Sequence, residues 1–483
     1  MNKESVLLVE PDYPYPNKSK NKGNDVHKNF IPIGLLKIGS YYKQSGHIVN
    51  LVRGNKSETE LRVDYDVIMI TTLFTYWSEY VWDCVEHYRN EFPNSKIEIG
   101  GIYATLHHEK DYFAKLLAKY DADVRVGLHL EAEKCLPDYS LITYVDYHVM
   151  HGMRGCIRRC SFCGTWRIEP NRIDKTSQRI EEEILAAGKN KVIFFDNNFL
   201  ANENIKEILK TLAEIRVNGR PVNYESQSGF DGRLLVKEPE IAVLLKKARF
   251  ANIRIAWDNA ISDMPQIESQ IKYLTNVGYH PRNISIFMIY NYELTINEMI
   301  EKIKYCFKWN VQIADCRFRP LHIKNDNYQP HKWRNGQTSE DYYIHENWTD
   351  ADVRLFRKIV RIHNITIRYV LSKIDDPKKT WDEIKSIKDP LKLLYNYENK
   401  IGYKKDMERW SAIHSTYKFF GLGKPESYEK IKASETLLKR IKLMNKVKNY
   451  CKKHKLELSL EGLTVGEQEQ KLLGFLNKND LKH

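Results

Sequence analysis

The chain has 483 residues, of which 42% are hydrophobic and 12% aromatic. It is therefore too long for one ordinary core and has enough apolar material for two or three packed domains. Its longest apolar stretches, such as Val67–Ile70, are far shorter than the roughly 20 residues of a membrane span. The apolar run Val6–Val9 is too short for the core of a signal peptide, so we expect a cytoplasmic protein with no membrane partner.

The net charge of +13 is concentrated in the C-terminal third of the chain. Residues 430–455 are the densest part, with ten Lys or Arg residues and a single acid, Glu435. One interpretation is the solvated face of a lysine-rich helix. The other is a contact surface for nucleic acid or another polyanion. The candidate contact residues are Lys439, Arg440, Lys442, Lys446, Lys448 and Lys452.

Short apolar strands alternate with amphipathic helices over residues 1–130. The predicted strands are Ser5–Glu10, His47–Arg53, Asp66–Thr72, Lys96–Gly100 and Asp123–Gly127, and the predicted helices are Ile33–Gln44, Trp77–Asn90 and His107–Lys119. This alternation is typical of a parallel, doubly wound sheet, so we predict a Rossmann-like domain. Ligands of such sheets bind at the carboxyl ends of the strands, which makes the polar loop Asp12–Asn29 a candidate binding segment.

Residues 131–148 are predicted to be a linker, after which the alternation resumes over residues 149–321. The predicted strands are Tyr147–Met150, Val192–Asp196, Val222–Ser226, Asn252–Asp258, Ile284–Tyr290 and Gln312–Arg319. The predicted helices are Ser177–Ala187, Ile205–Ile215, Glu238–Ala248, Pro265–Val277 and Ile296–Trp309. Six such units predict a partial (β/α)6 barrel, with its chemistry at the carboxyl ends of the strands.

Residues 322–483 show few strand signals and are predicted to form a basic, mainly helical C-terminal domain. Its clearest predicted helices are Asp350–Leu371 and Ser434–His454. The predicted fold class is therefore α/β, with a Rossmann-like parallel sheet, a partial barrel and a helical C-terminal region.

Three of the eight cysteines, Cys156, Cys160 and Cys163, lie close together after the first predicted barrel strand. Thiolates spaced C-x3-C-x2-C can each bind one iron of a [4Fe–4S] cubane and leave the fourth iron open, as a reactive metal centre requires. The neighbouring cations are expected to favour thiolates over thiols; these are Arg154, Arg158 and Arg159. The remaining cysteines are expected to be small buried hydrophobic residues; they are Cys84, Cys135, Cys306, Cys316 and Cys451.

This segment resembles the signature of the radical S-adenosylmethionine (SAM) superfamily, in which an aromatic residue, here Phe162, precedes the last cysteine. In that superfamily the open iron binds the amino and carboxylate groups of SAM. Reduction of the cluster then cleaves SAM to methionine and a 5′-deoxyadenosyl radical, which abstracts hydrogen from the substrate. The resemblance implies an oxidoreductase or transferase that uses a [4Fe–4S] cluster, SAM and a one-electron reductant of the flavodoxin or ferredoxin type. Phe162 would pack over the cluster.

Four residues at strand ends are candidate SAM contacts on the basis of this resemblance. Asp196 follows the second strand, where relatives contact the SAM amino group and often carry Gly-Gly-Glu, which this chain lacks. Asp258 follows the fourth strand, where relatives place a carboxylate near the ribose or methionine. Gln227 follows the third strand and Arg319 lies at the end of the sixth, so both are expected at the same end of the barrel, where the carboxyl ends of the strands meet. Each could instead cap a helix or hold a loop.

The first 130 residues resemble the cobalamin-binding-type domain that precedes many radical SAM barrels. The matching stretches are Phe30–Ile38, Ser45–Val49 and Ile99–Leu106. Domains in which a protein histidine is the lower ligand of cobalt carry the motif D-x-H-x-x-G. The most similar segment of this chain contains His27 but lacks the glycine. His27 is therefore not expected to bind cobalt. Some relatives bind cobalamin without that histidine and others have lost the cofactor, so both states stay open.

The resemblance implies methylation (with bound cobalamin), rearrangement or oxidation of an unactivated carbon. The alternative is a non-catalytic metal protein, with zinc held by the three cysteines and a ligand such as His151, and nucleic acid bound by the basic C-terminal region. A tRNA methylthiotransferase is a further alternative. It needs additional cysteines for a second cluster in the N-terminal domain, and Cys84 and Cys135 do not supply three.

Overall fold

The computed structural model of the protein describes residues 3–15, 31–143, 145–329, 336–365, 367, 443–460, 463 and 465–479. The chain forms two compact units. One comprises Met1–Glu298 and Ala314–Arg354, and the other comprises Met299–Ile313 and Leu355–His483. Within the described ranges, no helix is both long enough and apolar enough to cross a membrane.

The first unit begins with a five-stranded parallel sheet. Its strands are β1 (Ser5–Glu10), β2 (Ile48–Arg53), β3 (Val67–Thr71), β4 (Lys96–Gly100) and β5 (Ala122–Arg125). The accompanying helices are α1 (Ile33–Gln44), α2 (Glu58–Leu61), α3 (Ser78–Glu91), α4 (Ile102–His107), α5 (Asp111–Tyr120) and α6 (Leu130–Glu133). The strand order is β2-β1-β3-β4-β5, and every pairing is parallel, so the predicted Rossmann-like sheet is confirmed.

Each face of this sheet has its own core, because successive residues of a strand point to opposite faces. Val6 and Leu8 of β1 pack with Leu35 of α1 on one face. Leu7 and Val9 belong to the cluster on the other face. Burial of one such aliphatic side chain stabilises the fold by about 1.5–3 kcal/mol, so an uninterrupted apolar run favours an interior strand that is covered on both faces.

The predicted helix His107–Lys119 corresponds to α5, which begins at Asp111, and the short helix α4 before it was not predicted. Gly101, directly before α4, has a φ of 121°. A Cβ at this position would lie 2.8 Å from the carbonyl oxygen of Thr72, so the chain turns sharply here only because the residue is glycine. The Gly-Gly pair lies both at the end of β4 and at the start of α4. The sequence pattern indicates the end of β4 but not the start of a helix.

The barrel region follows. Its strands are β6 (His148–Met150), β7 (Met153–Arg154), β8 (Ile173–Asp174), β9 (Lys191–Phe194), β10 (Arg216–Val217), β11 (Arg220–Pro221), β12 (Asn223–Ser226), β13 (Arg254–Ala256), β14 (Ser285–Tyr290) and β15 (Gln312–Arg317). Its helices are α7 (Thr165–Ile168), α8 (Ser177–Ala187), α9 (Ile205–Glu214), α10 (Gly232–Lys237), α11 (Glu240–Lys247), α12 (Met264–Asn276) and α13 (Ile296–Lys308). All six predicted barrel strands are present, with bounds shifted by at most two residues.

These six strands form two three-stranded sheets, in the orders β12-β9-β6 and β13-β14-β15. Isolated bridges between Tyr224 and Phe250 and between Phe230 and Ile255 link the two halves. Two short antiparallel pairs, β7 with β8 and β10 with β11, were not predicted, because two-residue strands leave no periodic signal. The pair of β7 and β8 closes the loop that carries the three clustered cysteines.

The helices described after the barrel are α14 (Asp350–Ile365), α15 (residues 443–454) and α16 (Val465–Lys478). In the second unit, α15 and α16 share a small core of Val447, Cys451, Leu472 and Leu476. The two predicted C-terminal helices are present where they are described, through residue 365 and from residue 443. The rest of each prediction lies outside the described residues, as do Lys439, Arg440 and Lys442.

Candidate active site

The three predicted cluster ligands lie in the loop between β7 and β8. Cys156, Cys160 and Cys163 are free and half-buried. The N–H of Cys163 donates to the carbonyl oxygen of Cys160 (3.1 Å), so the chain turns tightly just before α7. The loop follows β6, the first barrel strand, and therefore starts at the carboxyl end where the chemistry of such barrels takes place.

N–H groups point at two of the three sulfur atoms. The backbone N–H of Arg158 lies 3.3 Å from Cys156 Sγ, and Asn198 Nδ2 lies 3.7 Å from the same sulfur. The backbone N–H of Thr165 lies 3.5 Å from Cys163 Sγ. Hydrogen bonds to ligand sulfurs stabilise thiolates and tune iron–sulfur potentials, so the local backbone suits a cluster.

A buried carboxylate beside the loop orders two arginines. Asp231 accepts hydrogen bonds from Arg158 Nε (2.9 Å) and Arg233 Nε (2.7 Å). Burial raises the pKa of Asp231, but the hydrogen bonds from Arg233 and Arg158 outweigh burial and hold that pKa below its usual value. Asp231 also caps α10 by accepting from the backbone N–H of Arg233, so its position is fixed by the helix.

The arginines around the cysteines do not have the predicted effect on Cys160. Burial, followed by the charges of Cys163 and a nearby aspartate, raises the pKa of the Cys160 thiol. Arg154 and Arg158 are paired with carboxylates, and Arg159 is exposed. The prediction that these three cations favour a thiolate is therefore wrong for Cys160.

Within the described part of the chain, no three His, Cys, Asp or Glu side chains are arranged to hold a single metal ion. His151, the fourth ligand of the alternative zinc site, is buried, and its Nε2 lies 3.1 Å from Arg154 Nη1. A cubane makes a different demand, because each thiolate binds its own iron. The assignment of the three cysteines to a [4Fe–4S] cluster therefore stays a prediction.

Phe162, the aromatic residue before the last cysteine, belongs to an aromatic wall beside the loop. Its ring packs edge-on against Tyr292, with 6.0 Å between the centroids. Tyr292 also contacts the ring of Phe318 (4.4 Å), and its hydroxyl lies 3.0 Å from Ser161 Oγ. Phe162, Tyr292 and Phe318 therefore form a continuous series of ring contacts at this side of the loop.

Two of the predicted SAM contacts are placed where a ligand could use them. Asp258, after β13, is close enough to Cys160 and Arg233 to affect the pKa values of both. Gln227, after β12, donates its backbone N–H to the carbonyl oxygen of Phe194 (2.9 Å). Its buried Oε1 has no hydrogen-bond partner among the described residues. A buried acceptor left unpaired costs about 1–3 kcal/mol, which a ligand N–H would recover.

Asp196 is fully buried and its carboxylate is already engaged. Its oxygens accept the backbone N–H groups of Gly152 (2.9 Å) and Met153 (2.5 Å). Burial raises the pKa of Asp196 to about 7, against the opposing effect of these two hydrogen bonds. The contacts favour a role in shaping the turn that leads into the cysteine loop, and a SAM contact by Asp196 stays a prediction.

Arg319 makes contacts that join the barrel to the N-terminal sheet. Its guanidinium lies over the ring of Tyr76, 4.2 Å from the centroid, and its Nε lies 3.5 Å from Asp326 Oδ2. Tyr76 lies between β3 and α3 of the N-terminal sheet. These contacts give Arg319 a packing role, and a SAM contact by Arg319 stays a prediction.

Sequence reasoning missed Asn198, which is buried at the carboxyl end of β9. Its Nδ2 lies 3.4 Å from Asp231 Oδ2 as well as near Cys156. Its Oδ1 is buried and, as far as the structure describes the chain, without a hydrogen-bond partner. The signal was available, because two consecutive asparagines follow a buried strand in the same string as Asp196.

A cavity of about 150 Å³ lies at the carboxyl edge of the N-terminal sheet, as expected for ligands of such sheets. Its lining includes Lys37, Thr71, Gly100, Gly101, Gly127, Glu133 and Arg154. Of the predicted binding loop Asp12–Asn29, only Asp12–Tyr15 is described, and His27 lies outside the described residues.

Comparison with known proteins gives one family. Residues 150–304 match the family model described as the radical SAM superfamily. No curated protein sequence matches the chain. Among solved structures, the chain is similar to the cobalamin-dependent S-adenosylmethionine radical enzyme OxsB, determined with aqua-cobalamin and S-adenosylmethionine bound. That similarity has 12% sequence identity and a TM-score of 0.46, and covers 99% of this chain and 84% of that chain. By this match, residues 150–304 of this protein resemble the radical SAM superfamily.

Proposed function

We propose that the protein is an enzyme that cleaves SAM reductively at a [4Fe–4S] cluster held by Cys156, Cys160 and Cys163. The observation that carries this proposal is the placement of three free thiols in one loop at the carboxyl end of β6. N–H donors directed at two of the sulfurs support it. When bound, the cluster supplies the electron for the cleavage.

The chain's own polar groups would bind and orient SAM. The SAM amino group is a hydrogen-bond donor and needs acceptors. Asn198 Oδ1 and Gln227 Oε1 are buried acceptors that lack a partner among the described residues, at the ends of neighbouring strands β9 and β12. Asp258, close to Cys160, would add a carboxylate for the ribose or the methionine amino group. The aromatic wall with Phe162 would keep water from the reacting atoms.

Anaerobic reconstitution of the full chain tests this function. The wild type should bind about four irons and cleave SAM when reduced. Cys160→Ala should lose cleavage and most of the iron, because three ligands are the minimum for a cubane with one open iron. The matched control is Cys135→Ala, a half-buried cysteine elsewhere in the chain, which should behave as the wild type. Full cleavage by Cys160→Ala would refute the assignment.

The outcome of the reaction depends on the second cofactor. Methylation would need cobalamin, and the cavity at the carboxyl edge of the N-terminal sheet would hold part of it. Protein purified from cells grown with excess cobalamin provides the test. Retention of the pigment at one per chain would support methylation, whereas its loss on gel filtration would leave rearrangement or oxidation.

We also propose that the basic C-terminal region contacts a nucleic acid, either as substrate or as partner. On α15, Val447 and Cys451 face the small core, while Lys448, Lys452 and Lys453 are exposed. Cations that follow the solvent side of a helix at this spacing can meet successive phosphates.

Filter binding of RNA and single-stranded DNA at two salt concentrations tests this contact. Each phosphate contact contributes a slope of about −0.7 to −0.9 in log affinity against log salt. Neutralising Lys448, Lys452 and Lys453 to Gln should therefore flatten the slope by about 2 to 3. Three exposed lysines of the N-terminal region serve as the matched control; these are Lys110, Lys115 and Lys119. Equal slopes for both triple variants would refute the contact.

A further inference from the structure

A chain of buried, alternating charges runs from the N-terminal sheet to the cysteine loop. Lys37 Nζ, on α1, lies 2.8 Å from Glu133 Oε1. The other oxygen of Glu133 lies 2.7 Å from Arg154 Nη2. Arg154 Nη1 in turn lies 3.0 Å from Glu169 Oε1. We call these four residues the charge relay; none of their side chains is more than 13% exposed.

The relay ends on the backbone of the cysteine loop. Glu169 Oε2 accepts the backbone N–H of Gly155 at 2.7 Å, one residue before Cys156. Gly155 has a φ of 76°, and a Cβ there would lie 3.1 Å from the carbonyl oxygen of Asn171. The backbone at the start of the loop, at Gly155, therefore lies against the backbone near its end, at Asn171. The hydrogen bond from Gly155 to the Glu169 carboxylate connects these two segments.

The other end of the relay forms a wall of the N-terminal cavity. Lys37, Glu133 and Arg154 all line it. Glu133 is the last residue of α6, which follows β5. A molecule in this cavity would thus touch three of the four relay side chains, while the fourth, Glu169, contacts the loop backbone.

We propose that Glu133, Arg154 and Glu169 are positioning residues through which the N-terminal sheet sets the geometry of the cluster loop. This inference rests on the proposed function, because it concerns the cluster that the loop would bind. The relay carries two positive and two negative charges, so it is balanced only when all four side chains are present. A buried charge that loses its partner is strongly unfavourable, so a change at Glu133 should move Arg154 and then Glu169.

The electrostatics of Glu133 agree with this role. Burial raises the pKa of Glu133, but the hydrogen bond and charge of Arg154 and the charge of Lys37 outweigh it and hold the pKa well below its usual value. Glu133 therefore stays ionised near neutral pH. The ion pairs of Glu133 with Lys37 and Arg154 therefore connect the sheet to the loop, and a neutral glutamine at this position cannot replace them.

The test compares Glu133→Gln with Glu131→Gln in the full, reconstituted chain. Glu131 lies on the same short helix but is 59% exposed and pairs with Lys134 at the surface. Loss of an outer partner of a metal ligand shell weakens metal binding or activity by about 10- to 100-fold. Glu133→Gln should therefore release iron to a chelator faster by such a factor and show an altered electron paramagnetic resonance spectrum of the reduced cluster. Glu131→Gln should match the wild type in both.

The double variant Glu133→Gln/Glu169→Gln separates positioning from general destabilisation. If the relay acts as one unit, the double variant should lose no more iron affinity than the worse single variant; independent sites would give additive losses. Glu133→Asp, which keeps the charge but shortens the reach to Arg154, replaces Glu133→Gln if the latter does not fold. A wild-type spectrum and chelator resistance in the folded variant would overturn the relay while leaving wild-type SAM cleavage, and hence the proposed function, intact. A wild type that binds no cluster would instead refute the proposed function itself.

Discussion

The buried carboxylate of Asp196 makes the stability of the barrel depend on pH in a specific direction. Its pKa is about 7 in the folded protein, against an ordinary value of 3.8. Between these values the folded chain holds a proton that the unfolded chain has lost, so the free energy of unfolding falls as pH rises from about 4 to about 7. The interval from pH 5 to this pKa is about two pH units, over which the free energy of unfolding falls by roughly 3 kcal/mol.

Replacing Asp196 by Asn removes the titration and keeps one acceptor oxygen. The amide NH2 would face one of the two N–H groups of Gly152 and Met153, a mismatch that costs about 1–3 kcal/mol. The variant should therefore be less stable than the wild type at pH 5. At pH 8 the difference should shift in favour of the variant by roughly 3 kcal/mol, since only the wild type then carries a buried charge.

Urea denaturation followed by tryptophan fluorescence, at half-unit steps from pH 4.5 to 8, measures this difference. Asp83→Asn, an exposed aspartate on α3, is the control and should keep the pH dependence of the wild type. An Asp196→Asn profile parallel to the wild type over this range would show that the carboxylate does not titrate near neutrality, and the reasoning would fail.

Three further predictions concern SAM binding, the stability of the second unit in acid and the backbone conformation of Gly101. Asn198→Ala and Gln227→Ala should each raise the KM for SAM by roughly 3- to 10-fold, the value of one hydrogen bond, with iron content unchanged. His363, buried with its pKa lowered to about 4 by burial, should make the second unit lose roughly 3 kcal/mol as pH falls from about 6.5 to about 4, and His363→Gln should remove that loss in acid denaturation. Gly101→Ala should lower the melting temperature, because φ is positive and the new Cβ meets a backbone oxygen at 2.8 Å, whereas Gly34→Ala in α1, with open space around it, should not.

The α/β architecture was predictable because the local spacing of apolar residues in this sequence indicates which residues of each element are buried. β1, for example, is apolar on both faces from Val6 to Val9, and an interior parallel strand that is covered on both faces buries such a run completely. The short helix α4, which begins directly after Gly101, was not predictable from periodicity. It depends on the close approach of Gly101 to Thr72, a contact between residues that are distant in sequence.

The three candidate cluster ligands were predicted from a local signal as well, their spacing along the chain, and the binding of iron by these cysteines stays a prediction. Their surroundings could not be found this way. Arg158 meets Asp231 across 73 residues of sequence, and Arg154 meets Glu133 across 21. The first pair forms within the barrel and the second between the barrel and α6 of the N-terminal region. No local pattern predicts which arginine of a basic segment is neutralised and which stays exposed.

Polar residues at strand ends show the limit of sequence reasoning most directly. Asp196 and Gln227 follow successive barrel strands and both suit a ligand contact by residue type. In the structure, the Asp196 carboxylate is satisfied by two backbone N–H groups, whereas Gln227 Oε1 is buried with no partner in the described ranges. A polar atom whose hydrogen bonds are all made within the protein stabilises the fold. A buried acceptor with no hydrogen-bond partner among the described residues is available to accept a hydrogen bond from a ligand. The unsatisfied acceptors of Gln227 and Asn198 therefore carry more weight for SAM binding than the carboxylate that the resemblance favours at Asp196.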